Sequence, residues 1–128
     1  METQVIYNSD LHFEHERWQS ELYFWKDEIK SFRHRLEELV IRWSDKEVLS
    51  QLEHFQNEFI LHEGRIDEFL EGIESHEHRL AGQSMAGDNS MDRALVKKHL
   101  EFRDEMETQR EMFHALKKEF FKFLTKYM

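Results

Sequence analysis

Nine histidines occur in this 128-residue chain, and four of them stand where hydrocarbon is expected. His15, His62, His76 and His99 sit in patterns of alternating four- and three-residue steps whose other members are almost all apolar. Imidazole titrates near neutral pH and is the commonest side-chain ligand of metal ions. His15, His76 and His99 belong to three different segments, so a fold that sets those segments side by side places three imidazoles in one layer. Three neutral imidazoles bind a divalent transition ion such as zinc, with Zn–N about 2.0–2.1 Å, and leave a fourth position open. Imidazole suits copper, nickel and iron as well, so ligand type alone selects no ion. His12, three residues before His15 on the flank of the same face, is the candidate fourth ligand. His78, two residues beyond His76, points away from it.

Carboxylates crowd the same end of the pattern: Asp10, Glu14, Glu16, Glu71, Glu74, Glu77, Asp88, Asp92 and Glu101. They are candidates for holding the outer nitrogens of ligating histidines. A simpler account needs no metal. A core histidine satisfies its nitrogens with a carbonyl, a neighbouring side chain or a trapped water, and polar seam residues can fix register. On that account His62 is a lone core histidine and Gln109 a register or hydrogen-bonding residue. Under either account, burial favours neutral imidazole, so stability is expected to fall in mild acid.

The elements that must position these groups are three helices. The first seam runs Leu11, His15, Trp18, Leu22, Trp25, Ile29, Phe32, Leu36, Leu39, Trp43. The second is Val48, Leu52, Phe55, Phe59, His62, Ile66, Phe69, Ile73, His76, Leu80, and the third Leu95, His99, Phe102, Met106, Gln109, Phe113, Leu116, Phe120, Phe123, Tyr127. Of these thirty positions twenty-five are apolar, and the other five are four histidines and Gln109, in a chain that is 35% charged. The spacing predicts an all-α, elongated, up-down-up antiparallel three-helix bundle of coiled-coil type, a single domain over 1–128. The helices are expected at about 9–43, 45–81 and 89–127, with a loop at about 82–88. Asn8, Ser9 and Asp10 offer caps for the first helix, and Ser44 with Glu47 matches a capping box for the second.

The short connection after Trp43 makes the first two helices antiparallel neighbours and pairs His15 with His76 in one layer. Setting Leu80 beside Leu95 brings His99 to that layer. A slip of one heptad would bring Asp92 there instead, at the cost of uncovering Phe123 and Tyr127. The first register is therefore expected.

Composition narrows the function. A net charge of -9 disfavours nucleic acid as a partner. The absence of cysteine removes thiolate ligands, disulfides and cysteine nucleophiles. The opening METQVIYNSD has neither a basic nor an apolar signal region, and no apolar run is long enough for a membrane span. A cytoplasmic protein with no membrane partner is expected. No nucleophile–base arrangement emerges, and the lone Glu-x-x-His, Glu111 to His114, lies off the seam. Apolar residues outside the seams, namely Phe13, Tyr23, Phe24, Ile41, Ile60, Leu61, Leu70, Leu100, Met112, Phe121 and Leu124, point to a second contact surface. The first expectation is a non-enzymatic interaction or structural protein, without cofactor, that self-associates or binds another protein. The alternative is a metal-binding bundle built on His15, His76, His99 and His12.

Overall fold

The computed structural model describes residues 8–85 and 93–128. Three helices fill them: α1 (Asn8–Arg42), α2 (Lys46–Met85) and α3 (Arg93–Tyr127). At about 1.5 Å per residue each is on the order of 50–60 Å long. No helix among the described residues is long and apolar enough to cross a membrane.

Antiparallel pairing of α1 with α2 is carried by contacts whose numbers run in opposite directions: His15 to Glu77, Lys26 to Asp67, Arg33 to Glu63. Parallel pairing of α1 with α3 is carried by Glu14 to Arg103, Glu21 to Arg110 and Glu28 to Lys117, each 89 residues apart. These glutamates and bases recur every seven residues on the flanks of the seam, where coiled coils place their interhelical ion pairs. The architecture is the expected up-down-up bundle.

Two boundaries differ from expectation. The residue that caps α2 is Asp45, not Ser44. Its carboxylate accepts from the Glu47 amide at 2.8 Å, and its carbonyl accepts the first helical bond, from Leu49, at 3.0 Å. The cap moves one residue because helical geometry begins at Lys46, which puts Asp45 in the capping position. At its other end α2 continues through Gly82 to Met85, four residues past the expected stop. One helical glycine costs only about 1 kcal/mol, and no proline follows to force an end. The rest of the expected loop, and residues 89–92 of the expected third helix, lie outside the described residues. So do the side chains of Asn8, Ser9 and Leu80.

The seams form the core. Leu22, Ile29, Phe59, Ile66, Ile73, Met106, Phe113 and Phe120 are fully buried. The end near the α1–α2 turn is aromatic: Phe120 lies 5.1 Å from Phe32, 5.4 Å from Phe55 and 5.0 Å from Phe59, ring centre to ring centre. There the Trp43 indole donates to the Tyr127 carbonyl at 3.1 Å, joining the end of α1 to the end of α3. Gly72 lets α3 come close, since a Cβ at that position would meet the Phe102 ring at 2.9 Å. Of the off-seam apolar residues, Leu70 and Leu124 pack against the core and do not add to an outer surface. The other nine are exposed.

Candidate metal centre

All five polar seam residues are buried: His15, His62, His76, His99 and Gln109. Three of them meet. One nitrogen from each of His15, His76 and His99 lies within 4.8 Å of the other two, so the three helices deliver three imidazoles to one level. Ring centres are 5.1 Å apart for His15 and His76, 4.9 Å for His15 and His99, and 5.8 Å for His76 and His99. Trp18 forms the wall toward the middle of the bundle, stacked on His99 at 5.0 Å and on Phe102 at 5.5 Å. Leu11 and Ile73, one seam step before His15 and His76, are buried.

The outer nitrogens are held by carboxylates. His15 Nδ1–H donates to Glu77 at 2.5 Å. His99 Nε2–H donates to Glu14, whose carboxylate also receives two bonds from Arg103, at 3.0 and 2.8 Å. Carboxylate partners of this kind fix the tautomer and raise the basicity of a ligating imidazole. They also dictate what faces inward. When both rings are neutral, with Nδ1 protonated on His15 and Nε2 protonated on His99, His15 Nε2 and His99 Nδ1 present lone pairs to each other at 3.1 Å. Two such nitrogens repel unless a positive charge lies between them. Their separation is close to the roughly 3.3 Å edge of a tetrahedral site with Zn–N near 2.05 Å. His76 is more exposed to this logic still, because neither of its ring nitrogens has a hydrogen-bond partner although both are buried.

A proton is poorly suited to fill that gap. Burial pulls the pKa of His15 and of His99 below the ordinary histidine value, against the opposing pull of Glu77 and Glu14. His76 falls to about 4 through burial first and the neighbouring His15 and His99 second. The carboxylates stay ionised. Burial pushes Glu14 up, but bonds from Arg103 and His99 outweigh it; the same balance, with His12 and His15, holds Glu77 low. Neutral imidazoles beside ionised carboxylates are the protonation states in which such a cluster accepts a metal.

His12 is not among the three converging histidines. It is exposed on the flank, with Nδ1 on Glu77 at 2.8 Å and Nε2 on Glu16 at 3.0 Å, and Glu77 holds its pKa above the usual value. It therefore reaches the centre only through Glu77.

Comparison with protein-family models, curated proteins and solved structures finds no match.

Sequence reasoning placed the three histidines but named nine carboxylates where two are used, and it missed Arg103. All three lie on coiled-coil flank positions beside a seam residue: Glu14 before His15, Glu77 after His76, Arg103 after Phe102. That adjacency is the signal that could have singled them out.

Proposed function

We propose that this protein binds a divalent transition metal in the core of its bundle, through His15, His76 and His99. One observation carries the reading: two buried ring nitrogens, His15 Nε2 and His99 Nδ1, approach to 3.1 Å beside a third buried imidazole with no partner. Burying polar groups unpaired costs about 1–3 kcal/mol each, and a shared cation takes up one nitrogen from each of the three rings. An all-nitrogen, cysteine-free donor set suits zinc, cobalt, nickel or copper(II). Glu77 and Glu14 orient His15 and His99, and Arg103 orients Glu14.

The test is metal content together with thermal stability. Chain stripped with chelator and then dialysed against zinc should retain one ion per chain and melt at higher temperature. His76→Ala should do neither. Equal melting curves with and without zinc, cobalt, nickel or copper, and no retained ion, would end the reading.

A second reading, self-association, rests on the exposed apolar side chains, above all Ile41 at 87%, Phe13 at 62% and Phe24 at 61% exposure. Soluble monomers rarely leave so many large apolar groups in water. Sedimentation equilibrium separates the cases: a concentration-dependent dimer is expected, and a monomer at every concentration would remove this reading.

A further inference from the structure

We infer that the loaded centre takes its fourth ligand from solution and that this ligand is a small monovalent anion. The inference rests on the three-histidine metal reading above. Its first support is the donor inventory. Among the described residues the converging ligand group has three members. Both nearby carboxylates are committed to outer nitrogens, Glu77 to His12 and His15, and Glu14 to His99 and Arg103. The neighbouring walls, Leu11, Trp18, Ile73 and Phe102, offer no metal-binding atom. A tetrahedral ion held by three imidazoles therefore keeps one position for an outside donor.

Charge selects the donor. A divalent ion on neutral imidazoles brings two positive charges into an apolar layer. Glu14 and Glu77 oppose both, but Arg103 already neutralises Glu14 through two contacts. One positive charge is left without a counterpart, and an uncompensated charge in such surroundings is costly. A monovalent anion cancels it, and a dianion would overshoot.

A cleft lies beside this layer. On the outer side of the Glu14–Arg103 pair, a cleft of about 420 Å³ runs between α1 and α3, lined by Trp18 and by three arginines balanced by three glutamates. Trp18 is shared: one side of this residue borders the cleft and its ring covers His99.

Cobalt(II) in place of zinc makes the fourth position visible, because its d–d absorption follows coordination number and ligand. Cobalt-loaded full-length chain is titrated with sodium azide at constant ionic strength set with perchlorate. A saturable spectral change is expected in the wild type. Arg103→Gln should weaken azide binding about fivefold, the effect expected of one partly screened unit charge at short range, while Arg103→Lys should stay close to wild type. A low-coordinate cobalt spectrum that azide leaves unchanged would overturn the inference and assign the fourth position to the protein, with the three-histidine reading intact. No cobalt spectrum at all, together with no zinc uptake by elemental analysis, would overturn both.

Discussion

Two layers of this bundle bury histidine, and they solve the problem differently. In the middle of the molecule His62 Nδ1 accepts from the Gln109 side-chain amide at 2.6 Å, with the Phe113 ring 5.7 Å away. A neutral donor meets a neutral acceptor from the adjacent helix, and the pairing needs nothing further. At the other layer three histidines meet, two of them present lone pairs to each other, and the third finds no partner. The contrast shows that burial of a polar side chain is weak grounds for a site. What separates a packing device from a binding centre is whether hydrogen-bonding capacity is used up within the chain.

Acid should separate the two layers most strongly. His76 has a folded-state pKa of about 4 against 6.5 for the ordinary group. As pH falls below 6.5 the unfolded chain gains the proton first, so the stabilising contribution is whole above that value and is lost on the way down to about 4. At about 1.4 kcal/mol per pKa unit the loss is on the order of 3 kcal/mol for this residue. The depressed pKa values of Glu14 and Glu77 act with the same sign at still lower pH. Urea midpoints at pH 7 and pH 4.5 measure the difference, and His76→Leu should flatten it.

Zinc should come next. At a free concentration one hundred times its dissociation constant, it should stabilise the wild type by about 2.7 kcal/mol. The same addition should do nothing for His76→Leu and should act at full strength on Gln109→Leu. Equilibrium unfolding with and without zinc gives all three values.

The two layers should also respond with opposite signs when one polar partner becomes leucine in metal-free chain. Gln109→Leu strands the buried His62 and should cost about 2 kcal/mol. His76→Leu replaces an unpartnered imidazole with hydrocarbon and should stabilise by about 1 kcal/mol. Destabilisation by both would mean that the upper layer is a packing device like the lower one. The smallest effect belongs to the ionic flank. Glu21→Gln removes a partly exposed pair with Arg110 and should cost about 0.5 kcal/mol, leaving zinc affinity unchanged.

Much of this was legible in the chain itself, for definable reasons. Heptad steps mark buried positions whatever the partner helix, so all five polar seam residues are identifiable before any fold is known. The α1–α2 register follows from a connection of three residues, Trp43 to Asp45, which leaves no room for slippage. The register of α3 was harder, because the α2–α3 connection is longer. The repeat of Glu14, Glu21 and Glu28 against Arg103, Arg110 and Lys117 tells which face α3 turns to α1, and it becomes meaningful only when flank positions of two non-adjacent segments are compared. Choosing Glu14 and Glu77 from nine carboxylates needs the same information, since every one of them is compatible with a solvated helix face. The cap at Asp45 was missed because Ser44 and Asp45 are both good caps, and a shift of one residue in the helix start decides between them.

The three rungs between α1 and α3 repeat at the interval of the helix pattern, and a repeating gauge cannot tell one notch from the next. Sliding α3 by a heptad would still match Glu14 with Arg110 and Glu21 with Lys117. The rungs therefore fix how α3 is rotated, while its position along the axis is held by contacts that do not repeat: Phe102 over Gly72, Gln109 on His62 and, at the far end, the Trp43 indole on the Tyr127 carbonyl. Trp43 lies 28 residues from His15, or about 42 Å along α1. The alignment of three imidazoles at one end of the rod is thus shared among fastenings spread down its length, none of which is a ligand.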